Sequence, residues 1–389
     1  MRAAHRLSPW LFASPTALLF FHLPLTEAAA SPPIEARVVA RIAGADPRFS
    51  ATPLQVHVAT PVEATIELRS ARGAIVPLPA GATVRWLQIV PHDEHTTTAA
   101  PNTTSTAFSN NVLFGPRHGQ WIGFDRIEYD ARPLPAPATT TTSTAAAASS
   151  AASPAGPAPP AVTITGPAIT LARAGEDHGG AGSIWLAAEI TMPDGTVLRT
   201  PSAGDVDMLG LSRRVLRVSF RESDDFVGWL STYFHVPNVF GSSGPSTTQH
   251  QTEIYTGADC ADVLVGAQRA AGNRKLEYTS VAGIGTYARP LTDVLHLSAD
   301  GVLDATLRWG DDVRRGDLVT IDYADDPGNA LPRAWDHIGA LVEDGRGPNG
   351  KGDGILGGAD VMRHMGFRGL HDEPLASQGA IRLRVWRWR

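Results

Sequence analysis

Tyr255 to Asn273 reads YTGADCADVLVGAQRAAGN and holds Cys260, the only cysteine among 389 residues. Gly257 breaks the strand-like run before it. Asp259 is a suitable helix cap, so Cys260 is expected in the first turn of a helix. Cys260, Leu264, Ala267 and Ala271 recur at helical spacing and give one apolar face. Gly272-Asn273 is a good helix stop. A thiol in this position meets unpaired backbone N–H groups and the positive end of the helix dipole. Such sites lower a cysteine pKa from ~8.5 to about 3.5–7.5, so the position predicts a reactive thiolate. The plainer alternative is a buried thiol packed as a small hydrophobe.

Outward from this helix, the rest of the chain bounds the use of that thiol. A formal charge of −6 and a pI near 6.1 give no reason to expect a nucleic-acid partner. The first thirty residues have the layout of a secretory signal peptide. Arg2, His5 and Arg6 precede an apolar run from Trp10 to Leu25, and Ala28-Ala29-Ala30 offers a cleavage site before Ser31. Pro24 and the short apolar length argue against a stable membrane anchor, so an exported protein is expected. An exported chain with one cysteine cannot form an internal disulfide. Its thiol is then a liability unless it is buried or used.

From Ala36 the sequence reads as all-β. ARVVARI, LQVHVAT, ATIELRS, TVRWLQIV, SIWLAAEI and TVLRTP are short β-branched runs separated by turn residues. A sandwich-like domain over 31–220 is expected, with a low-complexity insertion at 133–161 that carries no charge and no aromatic ring. His92-Asp93-Glu94-His95 lacks the spacing of a helical ligand pair and reads as a solvated loop. Asn349 to Asp360 half-resembles a calcium loop, but Lys351 stands at a ligand position, so it reads as a glycine-rich surface loop. No metal and no cofactor is expected.

The composition changes near residue 220. DDFVGWLSTYF at 224–234 has helical periodicity, DLVTID at 317–322 is a strand, and Trp335 to Val342 is a strand with His337 at its start. Ile381 to Arg389 alternates and suits an outer or edge strand. A cysteine nucleophile needs an imidazole base, and the base needs a third group to fix its tautomer. Cys260, His337 and then His364 meet that need in chain order. His364 falls on the strand expected after that of His337, and His371, beyond Gly369, is expected in a loop.

At these residues the chain resembles the NlpC family of cell-wall cysteine peptidases. The likeness rests on VPNVFG at 236–241, Asp259-Cys260-Ala261, Gly316-Asp317-Leu318-Val319 and His337-Ile338-Gly339-Ala340-Leu341, in the family's order. It covers about 224–389 and implies a papain-like fold for a domain at 221–389, hence an α+β protein overall. It also implies Cys260 as nucleophile, His337 as base, and a peptide or peptidoglycan stem-peptide substrate. Asp259 and Asn238 fall where relatives contact substrate. Asn238 stands in place of a Tyr, and Ala261 in place of the Ser after the nucleophile. Two other readings use the same residues: a transglutaminase- or amidohydrolase-type acyl transferase, and an inactive papain-like domain that binds wall or partner. Nothing in the sequence fixes an oligomeric state.

Overall fold

The computed structural model describes residues 34–91, 127–134, 160–167, 178–323, 335–345, 352–366 and 369–389. The signal-peptide reading, the His92–His95 loop and almost all of the insertion at 133–161 lie outside them.

The described residues up to Arg221 are all strand and turn. In chain order they are β1 (Ile34–Ile42), β2 (Leu54–His57), β3 (Val62–Ser70), β4 (Ile75–Val76), β5 (Thr83–Pro91), β6 (Tyr129–Pro133), β7 (Val162–Ile164), β8 (Gly182–Thr191), β9 (Val197–Arg199), β10 (Val206–Asp207), β11 (Gly210–Leu211) and β12 (Leu216–Arg221). One sheet joins β1, β3 and β4, with β7 also on β3. A second runs β2-β12-β8-β5-β6, with β9 beside β8. Alternation drives their stacking. Val38, Ala40, Ile66 and Leu68 of the first sheet meet Ile184, Leu186, Val218 and Phe220 of the second in one dry core.

Helices begin only after β12. They are α1 (Phe226–Leu230), α2 (Gln251–Ile254) and α3 (Cys260–Ala270). The helical run expected over 224–234 is shorter than its periodicity suggests: α1 passes into a single 3₁₀ turn at Ser231–Tyr233. Then come β13 (Ala288–Pro290), β14 (Leu295–Leu297), β15 (Leu318–Tyr323), β16 (His337–Glu343), β17 (Val361–Gly366), β18 (Gly369–Pro374) and β19 (Ile381–Trp388). They form one antiparallel sheet in the order β13-β19-β15-β16-β17-β18, with β14 also on β19. The chain is thus α+β and strand-dominated. No helix among the described residues is long and apolar enough to cross a membrane.

Two sequence expectations need correction here. The terminal strand β19 is interior, not an edge: β15 pairs with one side, and β13 and β14 with the other. Its arginines tolerate this because Asp322 and Asp317 receive Arg382 and Arg387. His371 is in β18 rather than a loop, directly across from His364.

The sandwich and the later sheet share a core. The outer face of β5 and β8, through Leu87, Ile89 and Trp185, packs with Tyr233, Leu264, Ile338 and Met365. The other face of the late sheet buries Val319, Leu341, Met362 and Val385 under loops. Arg363 stitches the parts together. Its guanidinium is buried and donates to Asp372 at 2.7 and 2.9 Å and to Glu222, just past β12, at 3.1 Å. Paired on both sides, it is a buried charge whose loss of either partner would be costly.

Candidate active site

Cys260 opens α3 as expected from its cap. Asp259 accepts from the amides of Ala261 at 3.0 Å and Asp262 at 2.8 Å. The segment carrying Asn238 clamps this helix start: Val239 N–H donates to the Ala258 carbonyl at 3.0 Å and Ala258 N–H to that of Pro237 at 3.2 Å. Asn238 itself is buried in this bridge, paired with Ala258, the residue just before the cap. The backbone N–H of Ile338 points at the Cys260 sulfur. Ile338 follows His337, so the helix start and the start of β16 meet at the thiol.

The thiolate expected from the helix position is not what the surroundings favour. Burial pushes the Cys260 thiol far up, and the charge of Asp259 adds to it, against the amides of Ile338 and Ala261. The helix end stabilises a thiolate less than its packed, partly covered setting opposes one. Burial likewise pushes His337 down to about 3, with His364 and His371 adding to the effect. The resting pair is therefore a neutral thiol and a neutral imidazole.

The hydrogen bonds fix which nitrogen carries each proton. His337 Nε2 lies 2.6 Å from His364 Nδ1, and His364 Nε2 lies 2.8 Å from Glu373 Oε1. Burial pushes Glu373 up, but hydrogen bonding to His364 and the closeness of His371 outweigh it and hold the carboxylate well below its usual range. An ionised carboxylate only accepts, so His364 must donate from Nε2. Burial also keeps His364 neutral, so its Nδ1 accepts. His337 then donates from Nε2, which leaves its lone pair on Nδ1. The line runs one way, from His337 through His364 to Glu373, and prepares Nδ1 of His337 as a base.

Glycines make room for this line. A Cβ on Gly339 would stand 2.5 Å from Met362 Cγ and 2.9 Å from His364 Cβ. A Cβ on Gly366 would stand 2.8 Å from Cε1 of His371. Tyr323 closes one side, its ring 6.5 Å from that of His337 and its hydroxyl donating to Gln378 Oε1 at 2.5 Å. Gln378 in turn donates to Glu373.

Glu373, Tyr323 and Gln378 were not among the residues singled out from sequence. Glu373 was legible in one respect, since His371 and Glu373 alternate in GLHDEP once that stretch is read as a strand. Asp344, just before the half-calcium motif, and Asp360, its last residue, serve as loop clamps. Asp360 accepts from Trp309 Nε1 and Gly345 N–H, both at 2.8 Å, and Asp344 accepts from Gly354 N–H at 3.1 Å. Residues 349–351 of that motif lie outside the described residues.

A second buried acid sits one helical turn from the cap. Burial first, and then the charge of Asp259, push Asp262 up to about 8. Ser242 donates to it at 2.6 Å. Asp262 therefore keeps a proton that an unfolded chain releases near pH 4. The folded state binds the extra proton, so this contribution is full below the unfolded pKa and is lost as pH rises towards 8. Half-buried His337 and His235 and buried His250 and His364, all pushed down by their packing, work the other way, but only below about pH 6.5. Between pH 6.5 and 8 the loss of the proton held by Asp262, whose neighbour Asp259 burial also pushes up, lowers the stability of the folded state. The melting temperature is expected to fall by a few degrees across that window. Asp262→Asn preserves the Ser242 contact and should flatten the decline. An equal decline in the variant would place the proton elsewhere.

Comparison with protein-family models, curated proteins and solved structures returns no match to this chain.

Proposed function

We propose that this chain is an exported cysteine hydrolase of amide bonds, with a papain-like unit at 221–389 acting on peptidoglycan stem peptides. The observation that carries the reading is the one-way line from His337 to Glu373, which leaves the His337 Nδ1 lone pair for a proton from Cys260. With both partners neutral at rest, proton transfer accompanies attack. Cys260 Sγ bonds to the scissile carbonyl carbon as its proton passes to His337 Nδ1. Imidazolium then protonates the leaving amine, the C–N bond breaks, and a thioester remains. Water, deprotonated by the same nitrogen, releases the acid and restores the thiol.

Asp259 takes the amides of Ala261 and Asp262, so the oxyanion role falls to the amide of Cys260 itself. That capping also occupies the Asp259 carboxylate, and Ala261 offers no hydroxyl. Stem peptides with an acetylated N-terminus are therefore expected to be cleaved within a few-fold of free ones. The test is digestion of purified peptidoglycan and of a matched free and acetylated peptide pair, with fragments identified by mass. Absence of any new amine or carboxyl terminus would overturn the reading. A strong preference for the free amine would overturn the specificity alone.

The neutral, partly covered thiol favours a second reading, a papain-like domain that binds without turnover. Iodoacetamide separates the two. Labelling of Cys260 in the folded protein at neutral pH, faster than in His337→Ala, supports the enzyme, and an inert thiol supports the binding domain.

A further inference from the structure

We infer that His364, His371 and Glu373 form a binding site for a divalent transition metal of the zinc class, and that occupation reverses the His337–His364 hydrogen bond. One ligand atom from each of the three residues lies within 4.8 Å of the others. A tetrahedral zinc site needs bonds of about 2.0–2.2 Å to nitrogen and oxygen, so small side-chain rotations close the set. Two imidazoles and a carboxylate are a zinc-type donor set that leaves a fourth position for water. His364 is buried while His371 and Glu373 are half-buried, so an ion can enter from solvent.

A second feature points to a cation. His371 Nδ1 donates to the Gly369 carbonyl at 2.9 Å. That is the outer hydrogen bond that orients metal-binding imidazoles. It turns Nε2 towards Glu373 Oε1, 3.7 Å away. His364 already points Nε2 at the same oxygen. Three donors thus converge on one place, above the gap left by the missing side chain of Gly366.

The protons balance without loss from the histidine pair. Before binding, His364 holds its proton on Nε2 and His337 on Nε2. Metal at His364 Nε2 moves that imidazole's proton to Nδ1. His364 now donates to His337 Nε2, and the His337 proton must sit on Nδ1. Two protons remain on two rings, but His337 has lost its Nδ1 lone pair. The site stands apart from the hydrolase reading, because a metal titration reads it whether or not the chain turns over any substrate.

The test is a Zn²⁺ titration of the full chain by calorimetry, repeated with Co²⁺ and followed by its visible ligand-field bands. One equivalent should bind with a tetrahedral Co²⁺ spectrum. Losing a direct ligand should cost more than the ~10–100-fold of a second-layer change, so His371→Ala should weaken binding at least 100-fold. Glu373→Gln, which keeps an acceptor for His364, should weaken it as well. Imidazole ¹⁵N spectra should show the His337 proton move from Nε2 to Nδ1 on zinc addition. Absence of stoichiometric binding, or undiminished binding in both variants, overturns the site. Binding with an unchanged His337 tautomer overturns the reversal.

Discussion

Cys260→Ala and His337→Ala are each expected to lower amide-bond turnover by about three orders of magnitude or more, with the fold retained. Removing the nucleophile or its base leaves only binding and oxyanion contacts to act on substrate. Cys260 is half-buried at a helix start, so its loss trims little packing. His337 begins β16 rather than lying in its middle, and the β15–β16 ladder from Leu318 to Ile321 persists without its ring. Circular dichroism and a thermal melt check the fold, and peptide-release kinetics check turnover. Either variant retaining near-wild-type rates would eliminate the proposed pair. The same burial fixes the pH response. A base held down to about 3 stays unprotonated through mildly acid solution, so kcat/KM should show no loss on descending from pH 7 to 5. A fall centred near 6.5, the ordinary histidine value, would mean that the packing does not hold the base's pKa down or that another histidine titrates.

Much of this site was legible in the sequence because its residues sit at the ends of short, strongly patterned elements. The Asp259 cap marked where α3 starts, and with it the depth of Cys260. His337 was legible as a strand start because Ile338 to Val342 is continuously apolar. What failed were properties set by neighbours distant in sequence. Helix position argued for a thiolate, but the proton is held by burial under β16, some eighty residues away, and by the charge of Asp259. The terminal strand read as an edge because three arginines and two tryptophans alternate with apolar residues in IRLRVWRW. It is central because Asp322 on β15 and Asp317 just before it neutralise two of them. Gly369 signalled a loop for His371. The glycine instead serves a tight hairpin, with φ of +88°, and the strand resumes immediately. That one misreading hid Glu373, the end of the hydrogen-bond line.

The line makes an ordering of histidine variants the next expected result. His364→Ala removes the acceptor for His337 Nε2–H and cuts the connection to Glu373. His337 can then rotate, or carry its proton on Nδ1, where it is useless as a base. A misassigned tautomer in a serine-protease triad costs about 10⁴ in kcat, and a third residue reached through a neutral ring should matter less. A loss of roughly 10²-fold in kcat, with KM nearly unchanged, is expected, because the effect is on proton transfer and not on substrate contact. His371→Ala should cost less than tenfold, since His371 flanks the line, its ring 4.2 Å from that of His364 and its Nε2 3.7 Å from Glu373, without standing between His337 and Glu373. Both rates must be measured with a chelator present, so that a metal held by these same residues does not suppress the wild type. The readout beyond rate is the imidazole ¹⁵N spectrum of His337. In His371→Ala its proton should remain on Nε2, and in His364→Ala it should divide between the two nitrogens. The opposite ranking of the two variants, or an unperturbed His337 spectrum in His364→Ala, would show that Glu373 and His364 do not orient the base. The preparation of Nδ1 would then need another source.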